Sequence, residues 1–347
     1  KRYTPARERR ELKGIGSMKI AVYGGSFNPL HIGHVRCIIR AANMCERLII
    51  VISNGRKRCE ADIRVRYRWV YELTRHLPDV RIFILEDDCG TKAEYGEAQW
   101  FTDAEKVKAF AGEKIDAVFC GSDYDENSFW NVCYPDAELV IFPRDGISST
   151  EIRKDIYSHW DWLPTNVRPY YVKKVLLIGS ESTGKSTLTQ NLAMHFNTNF
   201  MEEAGRELSE RSGTDELMIS SDFRDILFTH KQREIELIRS SNKVLFEDTD
   251  CLITKFFIDF LGDKENERNS ALAEAISLFN EYDLVLFCEA DVKFVQDGDR
   301  SPIIAAEREK YSNLIREIYV SHGYYPISLS GNYTERYEKA VKLVEDM

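Results

Sequence analysis

The chain has 347 residues, 43% hydrophobic and 12% aromatic, and its 47 Lys+Arg against 57 Asp+Glu give a formal net charge of -10. That length exceeds one ordinary core and points to two domains, while the composition excludes wholesale disorder. The acidic balance excludes a surface that is nucleic-acid footprint throughout, leaving room only for local basic pockets, and no apolar run reaches the roughly 18 residues a membrane helix needs.

Residues 1–17, KRYTPARERRELKGIGS, are basic but lack the apolar centre of a signal peptide, so they read as a flexible leader on a cytoplasmic protein. The eight cysteines (Cys37, Cys45, Cys59, Cys89, Cys120, Cys133, Cys251 and Cys288) form no C-x-x-C pair and mostly fall in apolar segments. They are expected to be reduced and buried, and no His/Cys cluster has zinc-ligand spacing.

From Met18 the strand KIAVYGG, the loop SFNPLHIG, the helix HVRCIIRAANMC and the strand RLIIVIS form a βαβ unit. Val35, Ile38, Ile39 and Ala42 are spaced to make the apolar helix face. Further strands are expected at Val80 to Leu85, Asp116 to Gly121 and Ala137 to Phe142, with helices RVRYRWVYELTRHL and FTDAEKVKAFAGE between them. Such alternation predicts an α/β fold with a doubly wound parallel sheet, here a first domain over 18–157. The stretch SHWDWLPTNVRPYY, 158–171, carries two prolines and no clear period and reads as a linker. A second βα series fills 172–347, with strands near VKKVLLIG, NFMEE, KVLFED, DLVLFC and YPISLS, and no repeat relates the two halves.

In the first domain, GGSFNPLHIGH places His31 and His34 around Gly33 where a strand gives way to a helix. A closely approaching backbone, helix-start donors and two imidazoles converge there, which suits an α-phosphate undergoing substitution. Gly24, Gly25, Ser26, Phe27 and Asn28 are assigned to the nucleotide with them. Near the domain's end, in GISSTEIR, Ser149 and Thr150 can cap a helix while donating to phosphate, and Arg153 faces the same anion one turn later. A capping box from Ser148 to Glu151 is the structural alternative, compatible with that role.

In the second domain, GSESTGKS fits G-x-x-x-x-G-K-[ST] between an apolar strand and the helix STLTQNLAMHF. Gly179, Glu181, Ser182, Thr183, Gly184 and Thr187 are assigned to the nucleotide, Lys185 to its β- and γ-phosphates, and Ser186 to magnesium. Asp248, ending KVLFED, is the expected second magnesium group, with Asp250 assigned to the substrate. EEAGRE offers Glu203 as a base for a substrate hydroxyl and Arg206 as a cation for its polar groups, with a surface ion pair as the alternative. Arg300, in DGDRS, suits a lid over the transferring phosphoryl group.

GGSFNPLHIGH with ISSTEIR resembles the H-x-G-H nucleotidyltransferase superfamily. The resemblance implies a Rossmann-like fold and a transfer of nucleotidyl to phosphate, with both histidines and the later Ser/Thr and Arg on the triphosphate. The order of this domain, WLPTNVRPYYVKKVLLIGSESTGKSTL, EEAGRE, EDTD and DGDRS is similar to the NadR family from Met18 onward. That resemblance implies a P-loop kinase fold that phosphorylates nicotinamide riboside, and a first domain that joins nicotinamide mononucleotide to AMP from ATP, giving NAD. It implies ATP for both domains and Mg2+. VRYRWVYEL and YGEAQWF resemble the segments around the family's nicotinamide-nucleotide pocket, making Trp100 a candidate to stack on the ring, against a core tryptophan. Family members commonly read GKFYPxHxGH, whereas this chain has Gly25, Ser26, Phe27 and Asn28. A homo-oligomer is expected, without membrane or nucleic-acid partners, since 17 residues cannot hold a helix-turn-helix. The rival readings are a fused adenylyltransferase and kinase of another pathway, such as coenzyme A synthesis, and a regulator that binds NAD or ATP without turnover.

Overall fold

The computed structural model describes residues 18–55, 59–87, 89, 94–122, 127–143, 146–205, 218–261, 266–296 and 300–347. Arg206 lies outside them, as do residues 1–17. The chain divides into two compact units, Lys1–Arg168 and Pro169–Met347.

The first unit is an all-parallel five-stranded sheet in the order β3-β2-β1-β4-β5. Its strands are β1 (Met18–Gly25), β2 (Cys45–Gly55), β3 (Val80–Asp87), β4 (Ala117–Gly121) and β5 (Glu138–Phe142). Ile49, Ile50, Val51 and Ile52 are all buried whichever face they point to, because helices cover both sides of a parallel sheet. The strand order reverses beside β1, so the loops after β1 and β4 open the crevice where such sheets bind ligands.

Helix α1 (Ile32–Met44) starts two residues earlier than its sequence suggests, and its docked stripe keeps Ile38 of the expected face but not Ile39. Ile38 and Ala41 are its buried residues, one and two turns from His34, whereas Ile39 is 40% exposed. The helix is pinned at its first turn by the two histidines, so the face that holds His34 over the strand end is the face that packs. Residues 158–168, read above as the start of a linker, fold onto this unit. Trp160, Leu163 and Val167 are buried, and the Asn166 amide donates to the Trp69 carbonyl at 3.0 Å.

The second unit is another all-parallel five-stranded sheet, ordered β10-β9-β6-β8-β7. It comprises β6 (Lys173–Ile178), β7 (Phe200–Met201), β8 (Val244–Asp248), β9 (Leu284–Cys288) and β10 (Ile327–Leu329). Strand alternation splits its core: Val175, Leu177, Phe246 and Leu286 pack on one face, Leu176, Ile178, Val285 and Phe287 on the other. All eight cysteines are free thiols; five are buried, while Cys37, Cys59 and Cys89 keep partial exposure because they sit at helix flanks and strand-end loops. Among the described residues no helix is long and apolar enough to cross a membrane.

Candidate active sites

In the first unit the loop after β1 is shaped by two strongly buried residues, Phe27 and Asn28, with Phe27 at φ +48°. Gly24 is there for space: a Cβ on it would fall 2.1 Å from the Trp130 ring. His31 is the N-cap of α1, and the two histidines cap each other. His34 N–H donates to His31 Nδ1, and His31 N–H donates to His34 Nδ1, both at 3.3 Å. Their rings stack 3.7 Å apart, and Phe27 meets His34 edge-on at 4.9 Å. Gly33 lets the rings approach, since its Cβ would lie about 3.0 Å from His31 Nδ1.

The structure brings the distant GISSTEIR motif to this loop. Helix α2 (Ser149–Lys154) is capped by Ser148, whose Oγ accepts from Glu151 N–H at 3.2 Å, so the cap belongs to Ser148 rather than to Ser149 or Thr150. Ser149 Oγ, released from capping, donates to the Pro29 carbonyl at 3.1 Å. Arg153 donates to the Asn28 carbonyl and, at 3.3 Å, to Thr150 Oγ1. Histidines, Ser149 and Arg153 thus converge on one strand end, with donors enough for a polyphosphate.

In the second unit β6 runs into the glycine loop and then helix α3 (Lys185–His195). The loop needs left-handed backbone at Gly179 (φ +145°), Ser182 (φ +58°) and Gly184 (φ +84°). Both glycines are also sites of close approach: a Cβ on Gly179 would meet the Cys288 carbonyl at 2.5 Å, and one on Gly184 the Tyr333 ring at 2.7 Å. Lys185 Nζ donates to the Ser180 carbonyl at 3.0 Å, curled back over the loop it serves, and Thr183 Oγ1 donates to the same carbonyl at 2.9 Å. Ser186 and Thr187 occupy the helix's first turn, where N–H groups and dipole favour an anion. Glu181 accepts from Ser301 N–H at 3.1 Å, while Arg300 donates to Ser182 Oγ at 2.9 Å, which docks Arg300 and Ser301 on the phosphate loop. Asp248, 2% exposed, pairs in register with Leu177, two residues before Gly179. Both Asp248 and Lys185 are near enough to bias the Cys288 thiol, which burial pushes up to about 11.

A cavity of about 120 Å³ opens beside this loop. Lys185, Glu203, Arg300 and the loop line its polar end, and Phe223, Phe256 and Phe257 its apolar wall. Asp250 does not line it. Its carboxylate is 1% exposed and held by the Tyr319 hydroxyl, by the Tyr282 hydroxyl at 3.1 Å and by Leu252 N–H at 2.9 Å. Thr249, at φ +67°, breaks the strand parity and turns Asp250 into the core, so in this structure it braces the loop after β8 instead of facing a substrate.

Residues 22–155 match the Cytidylyltransferase-like family and residues 174–336 the AAA domain family. Over 344 residues, 94% of this chain and 83% of the relative, the chain is 28% identical to the trifunctional NAD biosynthesis/regulator protein NadR of Escherichia coli (strain K12). Two crystal structures of NadR protein share the fold at 20% identity. The one in complex with NR gives a TM-score of 0.76 over 96% of each chain, and the one in complex with NAD and AMP-PNP gives 0.77 over 95% of this chain and 96% of that one. The chain is similar to NadR proteins along nearly its whole length.

Three arginines support these loops, and none stands out in the sequence. Arg66, fully buried on α4 (Ile63–Thr74), donates to the carbonyls of Ser26 (2.7 Å), Ser53 (2.9 Å) and Ala61 (2.9 Å) and to Asn54 Oδ1 (2.7 Å), tying the histidine loop to the end of β2. Arg308 donates to the Ser182 carbonyl at 2.8 Å, and Arg336 to the Thr183 carbonyl at 2.8 Å. Holding phosphate-loop carbonyls outward leaves the intervening N–H groups to face the anion. Trp100 is half-buried; its indole N–H donates to the Tyr95 carbonyl at 2.8 Å and its ring meets Phe129 edge-on at 6.0 Å. It packs against the first unit's core, and the tryptophan in contact with the strand-end glycine is Trp130.

Proposed function

We propose that this chain is a bifunctional NAD salvage enzyme. Its second unit phosphorylates nicotinamide riboside to nicotinamide mononucleotide. Its first unit adenylylates that mononucleotide with ATP, giving NAD and pyrophosphate. The observation that carries the reading is the presence of both phosphate-gripping loops, in family order, inside one match to NadR that spans 94% of the chain.

In the second unit the 5′ oxygen of the riboside attacks the γ-phosphorus of ATP, the bond to the β-phosphate oxygen breaks, and ADP leaves. The hydroxyl proton goes to Glu203, the carboxylate lining the same cavity as Lys185. Lys185, Arg300 and the loop N–H groups balance charge on the transferring group. The residues present fit Mg2+: the Ser186 hydroxyl and the Asp248 carboxylate are hard oxygen donors of the kind that hold it together with phosphates and water. When bound, the ion neutralises charge on the β- and γ-phosphates.

In the first unit a phosphate oxygen of the mononucleotide attacks the α-phosphorus and pyrophosphate departs. That nucleophile is already ionised, so no general base is needed, and the work of His31, His34, Ser149 and Arg153 is positioning and charge stabilisation. The test is direct. Protein incubated with nicotinamide riboside, ATP and Mg2+ yields ADP and nicotinamide mononucleotide, then pyrophosphate and NAD; chromatography that finds neither nicotinamide product overturns the reading.

A further inference from the structure

Helix α5 (Ser220–Ile238) sends Phe223, Ile226 and His230 into the cavity of the second unit, the spacing of one helix face. His230 is the only imidazole among the residues that line that cavity, and it is 95% buried by its 5% exposure. Its Nε2 has no hydrogen-bond partner among the described residues. The other nitrogen, Nδ1, is hydrogen-bonded to the Thr249 backbone, a contact that favours a proton on the ring and so makes Nδ1 the donor to the Thr249 carbonyl. Burial lowers the ring's proton affinity, against the opposing pull of Asp250, Glu234 and Glu203. The neutral ring with its proton on Nδ1 presents a bare lone pair at Nε2. A buried acceptor of this kind costs free energy until something donates to it. The surrounding wall of phenylalanine and isoleucine cannot.

We propose that His230 is a specificity-determining residue of the kinase half-reaction, accepting through Nε2 a hydrogen bond from an O–H or N–H of the acceptor nucleoside. The inference rests on the kinase reading above and deepens it. The aromatic wall takes the flat ring of the acceptor, and His230, within electrostatic reach of Glu203, fixes the donor-bearing part in the same cavity. A nucleoside that lacks the donor leaves Nε2 dry and is discriminated against, which is how a polar site rejects an analogue.

The experiment measures KM and kcat of the full-length protein for riboside phosphorylation in wild type, His230→Phe and His230→Gln. The substrates are nicotinamide riboside, its 2′-deoxy and 3′-deoxy forms, and nicotinic acid riboside. His230→Phe is expected to raise the KM for nicotinamide riboside about 10-fold, the worth of one buried hydrogen bond, with the KM for ATP and the adenylylation of nicotinamide mononucleotide unchanged. His230→Gln, whose side-chain oxygen still accepts, recovers part of the loss. The penalty vanishes on the one analogue that lacks the donating group, which separates a sugar hydroxyl from the carboxamide. A KM within twofold of wild type in a His230→Phe protein of unchanged melting temperature overturns the proposal, as does an equal penalty on every analogue. If wild type ignores nicotinamide riboside but phosphorylates another nucleoside of a wider panel, the substrate reading alone falls, and the same variants are read on that nucleoside. If no nucleoside is phosphorylated while ATP still binds, both fall.

Discussion

Arg336 donates from Nη1 to the Thr183 carbonyl at 2.8 Å, across 153 positions of sequence, immediately before the glycine that opens the phosphate-loop helix. The same guanidinium, 2% exposed, also serves the carbonyls of Gly331 and Glu289 and the Asp291 carboxylate. Replacing it with Leu leaves the buried Thr183 carbonyl and the part-buried Gly331 and Glu289 carbonyls without their donor, while the Asp291 carboxylate is exposed. The expected cost is about 1 to 3 kcal/mol of stability in the second unit, with riboside phosphorylation lost more steeply than adenylyl transfer. Urea unfolding and the two half-reaction assays check this, and an Arg336→Leu protein with wild-type stability would refute the brace.

The two sites are separable by single substitutions. Lys185→Ala is expected to lower riboside phosphorylation by roughly 100-fold or more, the usual loss of one electrostatic contact at a transferring group, while adenylyl transfer from supplied mononucleotide stays within twofold. His34→Ala should do the reverse. Each half-reaction is followed with its own substrate, and a folded variant of either kind that silences both would break the division of labour.

Gly24 and Trp130 form a second pair worth a double-mutant cycle. A methyl at position 24 overlaps the indole at 2.1 and 2.4 Å, so Gly24→Ala should destabilise the first unit by about 1 to 3 kcal/mol through overpacking and displace the loop bearing His31. Trp130→Leu removes the obstacle. The two changes together should cost less than their sum by more than about 0.5 kcal/mol; strictly additive unfolding free energies would mean that the strain lies elsewhere.

Glu247 gives a pH dependence of calculable sign. It is wholly buried, both carboxylate oxygens lack a hydrogen-bond partner among the described residues, and burial, with Glu234 adding repulsion, pushes its carboxyl well above the ordinary range. Lys174 and Lys231, which oppose that shift, are engaged by Glu234 at 2.9 and 2.6 Å. As pH rises past the ordinary glutamate value of ~4.3, the unfolded chain ionises at this position and the folded one does not, so stability falls. Glu247→Gln removes that term. Its stability relative to wild type should be near zero at pH 4.5 and grow in the variant's favour towards pH 8 by urea titration; a difference flat with pH would sink the assignment.

What the sequence made legible follows from how each contact is built. The glycine loop and the paired histidines act through neighbours in the chain, so their spacing carries their geometry, and GISSTEIR was readable because a cap, a hydroxyl and an arginine share one turn. Arg66, Arg308 and Arg336 were not readable, since every residue offers the same backbone carbonyl and nothing in the text marks which one an arginine will seek. Asp248 and Asp250 look equivalent in EDTD. Only the left-handed backbone at Thr249 separates them, sending one to the loop mouth and the other beneath Tyr319. Apolar spacing finds Ile38 on the packed face of the first helix but puts Ile39 there too, because it cannot anticipate that His34 leads the docked stripe.

The mutual capping of His31 and His34 has an electrical consequence. An Nδ1 that accepts from a backbone N–H cannot itself hold a proton, so in both rings the hydrogen of the uncharged imidazole resides on Nε2. Each ring therefore offers a donor without acquiring charge, and full protonation would break the very caps that aim it. On the adenylyl-transfer reading proposed above, this half would meet its anion with two uncharged imidazole donors and take formal positive charge from Arg153.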